Sequence, residues 1–89
     1  MLTQTLTVKN RLGLHARPSA LLAKTANLYE SSILLKDKVR TVDAKSILGL
    51  MTMALPKGTE LVVCVDGPDE ASALRHVVEL FETRFGEPD

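Results

Sequence analysis

Residues 3–18 read Thr3-Gln4-Thr5-Leu6-Thr7-Val8-Lys9-Asn10-Arg11-Leu12-Gly13-Leu14-His15-Ala16-Arg17-Pro18, and this stretch sets the pattern for the rest of the chain. From Thr3 to Val8 the period is two. Leu2, Leu6 and Val8 share one face and Thr3, Thr5 and Thr7 the other, with Gln4 the exception among the apolar positions. Such alternation marks a half-solvated strand. Asn10-Arg11-Leu12-Gly13 carries turn residues and predicts a loop. Beyond it the period becomes helical over residues 16–27, with Ala20, Leu22, Ala23 and Ala26 near helical spacing. Pro18 suits the first turn, where N–H groups have no partner inside the helix.

Working outward, Ser32 to Lys36 and Val39 to Asp43 read as short strands joined by a tight Asp37-Lys38 hairpin. Lys45 or Ser46 opens a short helix from Ile47 to Ala54, which Pro56 and Gly58 close. Leu61 to Val65 is a continuous apolar run, as in an interior strand, and Gly67-Pro68 breaks it. Asp69 is placed to cap a last helix, with Glu70 favourable near the positive end of its dipole. Ala71, Leu74, Val78, Phe81 and Phe85 then supply an apolar helical face, and Glu87-Pro88-Asp89 reads as a frayed tail. The order βαββαβα predicts an α+β fold. A four-stranded, mostly antiparallel sheet carries three helices on one face and leaves the other to solvent. Residues 1–89 read as a single domain, without repeat, linker or low-complexity segment.

Composition excludes several classes of function. A chain of 89 residues buries only roughly 60% of the surface of its unfolded form, so the core is small. No apolar run approaches the ~18 residues that would span a membrane, and Met1 to Thr5 lacks the basic start of a signal peptide. No membrane insertion is expected, and a cytoplasmic location is the default. Cys64 is the one cysteine, which excludes an internal disulfide and a multi-cysteine zinc site. His15 and His76 are the two histidines and lie in distant segments, so no metal site is expected. Zero net charge speaks against a general nucleic-acid binder. The charge is unevenly spread, however. Residues 1–59 hold nine Lys/Arg against three Asp/Glu, and residues 60–89 hold two against eight. The basic part, which contains His15 and Arg17, is a candidate surface for an anion or an acidic protein.

His15 stands at the boundary between loop and helix. A helix N-terminus presents unpaired N–H groups and the positive end of the dipole, here through Ala16 and Arg17, since Pro18 has no N–H. The Arg17 guanidinium can fork onto phosphate oxygens. A neutral imidazole nitrogen is a competent nucleophile near pH 7. These residues alone suit a phosphoryl or anion site, and equally a histidine used as a polar helix cap. A serine hydrolase built on Ser19 or Ser46 lacks a recognisable nucleophile elbow.

The stretch Gly13-Leu14-His15-Ala16-Arg17-Pro18, followed by Ala44-Lys45-Ser46-Ile47-Leu48-Gly49-Leu50-Met51, resembles the HPr family. These are the histidine-containing phosphocarriers of the bacterial phosphoenolpyruvate-dependent phosphotransferase system (PTS). The similarity runs nearly the whole chain, including the spacing between the motifs and the C-terminal helix. The resemblance implies an open-faced β-sandwich. It implies that His15 takes a phosphoryl group from enzyme I and gives it to EIIA-type domains, on the route to sugar uptake or regulation. It places the group on Nδ1, a choice nothing in the sequence itself makes, and matches Arg17 to the family's active-site arginine. It implies a stoichiometric carrier, not an enzyme in the turnover sense, with no cofactor. The sequence does not set the oligomeric state, and a monomer is the default.

Ser46 reads as a helix cap on sequence grounds. The resemblance adds regulatory phosphorylation by an HPr kinase/phosphorylase. Ile47, Leu48, Leu50 and Met51 cannot all face the core, so some form an exposed apolar patch. With Leu14 and Ala20 they make up the expected partner surface. Cys64 is expected in the core, His76 on the surface, and Tyr29 and Phe81 in packing. Two other functions stay open. Val8 to Gly13 and Leu80 to Glu87 look like carriers of the nitrogen-related regulatory PTS branch, whereas Lys45 to Met51 looks closer to the kinase-regulated type. A regulatory binding module of the same shape, without transfer, is the third reading.

Overall fold

The alternation at the start of the chain becomes strand β1, Leu2–Thr7, in a computed structural model that describes residues 1–88. Then follow α1 (Ala16–Ala26), β2 (Ser32–Lys36), β3 (Thr41–Asp43), α2 (Ile47–Met53), β4 (Glu60–Asp66) and α3 (Glu70–Glu82), with a closing 3₁₀ turn at Arg84–Gly86. The strands form one sheet in the order β1-β4-β2-β3, and every pairing is antiparallel. The continuous apolar run thus lies inside the sheet, as its composition predicts.

Register sorts the side chains of that run. Leu61, Val63 and Val65 are buried and share a face with Leu6, Ile33 and Leu35. Helices α1 and α3 pack against each other, and α3 covers β1 and β4. Each fully buried aliphatic side chain contributes about 1.5–3 kcal/mol relative to exposure. The opposite face carries Thr3, Thr5, Leu34, Val62 and Cys64, exposed or half-buried. Cys64 therefore lies on the open face and not in the core, because its position alternates with Val63 and Val65.

Several local expectations need correction. The β2–β3 connection is a four-residue loop, Asp37 to Arg40, and not a two-residue hairpin. The Asp37 carboxylate accepts from the N–H groups of Val39 and Arg40, which fixes the loop and leaves Val39 exposed. In α1 the buried positions are Pro18, Ser19, Leu22, Ala23, Thr25 and Ala26, so Ala20 is off the core face. In α3 the fully buried positions are Ala73, Val77 and Phe81. Leu74 and Val78 pack half-buried beside them as expected, while Ala71 is exposed. Phe85 belongs to the turn beyond the helix, where its φ of 54° is left-handed. Asp69 precedes α3 but its side chain makes no cap bond there. Its carboxylate instead accepts from the Ser31 hydroxyl and from the N–H groups of Glu30 and Ser31. Those bonds, led by the hydroxyl, hold the Asp69 carboxyl below its ordinary range and tie the α1–β2 connection to the start of α3.

Candidate functional site at the start of α1

The loop between β1 and α1 is bound to the rest of the fold at both ends. Val8 N–H donates to Thr59 O at 2.9 Å and Leu14 N–H to Leu55 O at 2.8 Å. Gly13 turns between them with φ 73°, where an added Cβ would lie 2.3 Å from Leu55 O. Glycine is thus required here by conformation and by space. The Leu14 carbonyl accepts from the buried Ser19 hydroxyl at 3.2 Å. Leu14 itself is buried, so it supports the site from below and is not part of a partner surface.

His15 is the N-cap residue of α1 by backbone position, with extended φ and ψ. Its carbonyl accepts the first intrahelical bond, from Ser19 N–H at 3.0 Å. Its ring does not cap the helix. The polar-cap alternative is thereby excluded, and the N–H groups of Ala16 and Arg17 carry no hydrogen bond among the described residues. Both residues are exposed, while the His15 side chain is half-buried.

The ring is held from the far end of the chain. His15 Nε2 lies 3.0 Å from Glu87 Oε2 and 3.4 Å from Oε1. Glu87 Oε1 also accepts from Asn10 Nδ2 at 2.6 Å, and the same amide donates to Arg84 O at 2.8 Å. Asn10 is fully buried and the Glu87 side chain nearly so. Glu87 is therefore no frayed tail residue, because a buried amide and the ring fix its carboxylate. Asp89, the last residue of the expected tail, lies outside the described residues. A cavity of about 130 Å³ opens beside Glu87, lined by Arg11, Leu12, Arg17, Glu87 and Pro88. Two guanidinium-bearing side chains at one small cavity, next to free helix N–H groups, suit a compact anion.

Ser46 caps α2, its Oγ accepting from Gly49 N–H at 3.1 Å. It is exposed, as are Ile47, Leu48 and Met51. Leu50 is fully buried and leaves the expected partner surface, because Leu50 and Met53 form the face of α2 that enters the core. Ala20 is exposed on α1, which packs against α2. Leu12, 67% exposed, is an apolar surface residue in the loop before α1, next to the site. The sequence reading missed Asn10 and Glu87. Their likeness to nitrogen-branch carriers was the one signal present, since no local pattern joins residues 77 positions apart.

Among the described residues no helix is long and apolar enough to cross a membrane. The family model described as the PTS HPr component phosphorylation site matches residues 2–83. The chain is 48% identical over 87 residues to phosphocarrier protein HPr of Xylella fastidiosa strain Temecula1, covering 98% of each chain. It is 47% identical over 88 residues to the HPr of Treponema pallidum, covering 98% of this chain and 99% of the other. A crystal structure of HPr-C-His from Thermoanaerobacter tengcongensis superposes with a TM-score of 0.95, at 38% identity and with both chains fully covered. The open antiparallel sheet, the three helices and these matches make this chain a member of the HPr family of phosphotransferase-system phosphocarriers.

Proposed function

We propose that His15 accepts a phosphoryl group from phospho-enzyme I and passes it to EIIA-type domains, in the cytoplasm and as a monomer. The observation that carries this reading is the placement of His15. Its half-exposed ring stands at the N-terminus of α1, beside the Arg17 side chain and the N–H groups of Ala16 and Arg17, which have no partner among the described residues. Transfer between carriers is mainly positioning and charge stabilisation, so few groups are needed. Ala16 and Arg17 N–H receive the phosphoryl oxygens, and Arg17 offsets their charge. Ile47, Leu48, Met51 and Ala20 supply apolar contact for the partner. Ser46, exposed at the start of α2, is the site at which an HPr kinase/phosphorylase adds a regulatory phosphate. That charge would stand on the docking face and weaken recognition by a partner presenting carboxylates.

A second reading, the nitrogen-related regulatory branch, is favoured by one observation. The two segments that resemble that branch are the ones that meet at His15, through Asn10, Arg84 and Glu87. The function is tested by intact-protein mass after incubation with enzyme I and phosphoenolpyruvate. One acid-labile phosphoryl group on the wild type and none on His15→Ala is the expected result. No added mass on the wild type would overturn the carrier reading and leave a regulatory binding module.

A further inference from the structure

We infer that Glu87, anchored by Asn10, is a positioning residue that fixes the His15 ring proton on Nε2 and leaves Nδ1 as the nucleophile. This rests on the carrier reading of His15. A neutral imidazole has one N–H and one lone pair, and what the N–H binds decides which nitrogen is which. A Glu87 carboxylate oxygen, an acceptor, lies 3.0 Å from Nε2. It has no hydrogen to give, so Nε2 donates. Nδ1 then holds the lone pair, and among the described residues it has no protein partner.

The carboxylate cannot turn away freely. Oε1 is held by Asn10 Nδ2 at 2.6 Å, and that amide is fixed by its second bond to Arg84 O. Asn10 is fully buried and its Oδ1 has no partner among the described residues, so the side chain is spent on holding Glu87 and the turn before it. Carboxylate–histidine pairs of this kind fix the tautomer and raise the basicity of the opposite nitrogen. During transfer the Nδ1 lone pair forms the bond to phosphorus. The bond from phosphorus to the donor's leaving atom breaks, and its electron pair stays with the donor. No proton moves at His15. Nε2 keeps its hydrogen, the ring gains positive charge, and Glu87 lies against the N–H that carries it.

The test is the His15 tautomer in ¹⁵N-labelled, unphosphorylated protein, read from long-range ¹H–¹⁵N spectra at mildly alkaline pH, in the wild type and Glu87→Ala. The expected wild-type ring is protonated on Nε2 alone, and in the variant the two nitrogen shifts move toward each other as the tautomers mix. Uptake from enzyme I and phosphoenolpyruvate should slow about 10-fold or more, with a larger share of the label on Nε2 by ³¹P spectra. Ring shifts identical in the two proteins, or a wild-type proton on Nδ1, would overturn the assignment. A wild type that takes no phosphoryl group would overturn the carrier reading instead, and the tautomer comparison would still decide the role of Glu87.

Discussion

Gly13 shows how much one residue can set at this site. Its φ of 73° and the 2.3 Å approach that a Cβ would make to Leu55 O leave no side chain room. Gly13→Ala must strain the backbone or displace the loop from Leu55, and either costs about 1–3 kcal/mol. Urea denaturation should show a lower midpoint, and an unchanged midpoint would mean that the loop relaxes without cost. His15, two residues on, should take phosphoryl more slowly in the same variant. His15, Arg17 and the free helix N–H groups were legible because they are neighbours in the chain, where a helix start has a recognisable grammar. Glu87 was not, since Glu-Pro-Asp at a terminus has the composition of a solvated tail. Its partner Asn10 is 77 residues away, and only the folded chain brings them together.

Elements were legible where one face is buried and one is not. The period-two pattern of β1 and the apolar run of β4 place both strands to within a residue or two. The short β3 was overextended, because Asp37 binds two backbone N–H groups and keeps Val39 and Arg40 in the loop. The face of α3 was legible in part. Phe81 is buried and Leu74 and Val78 pack half-buried against the core. The fully buried line also runs through Ala73 and Val77, Ala71 is exposed, and Phe85 lies beyond the helix end at Glu82. In α2, seven residues long, the Ser46 Oγ bond to Gly49 N–H satisfies one of the few orphan donors the element has. A helix this short has little intrinsic stability and depends on its cap and on Leu50 and Met53. Ser46→Ala should therefore cost about 0.5–2 kcal/mol in thermal or urea unfolding. It should also abolish labelling by a purified HPr kinase. A wild type that the kinase leaves unlabelled would remove Ser46 from regulation and leave it as a cap.

At the scale of the molecule, the basic first part and the acidic last part are interleaved. Lys9 pairs with Glu82 at 2.6 Å, and the Met1 amino group lies 3.3 Å from Glu70 and 3.6 Å from Asp66. These pairs are largely exposed and contribute little to stability. Stability rests on the layer between the sheet and the helices, where Phe81 is the largest fully buried side chain. Its ring meets Phe85 edge-on at 5.0 Å between centroids, and Phe85 seats the turn that delivers Glu87 to His15. With two phenylalanines, one tyrosine and no tryptophan, the chain has few other large groups to fill the gap. At about 0.1 kcal/mol per residue, a protein of this length has roughly 9 kcal/mol of stability in total. Phe81→Ala removes about 3–5 kcal/mol of that. For a domain of this size each kcal/mol moves the midpoint by about 4–8 °C, so calorimetry should find Tm lowered by at least about 12 °C. A shift of only a few degrees would mean that α3 closes over the vacated space. The core between sheet and helices would then be far more plastic than close packing around Phe81 and Phe85 allows.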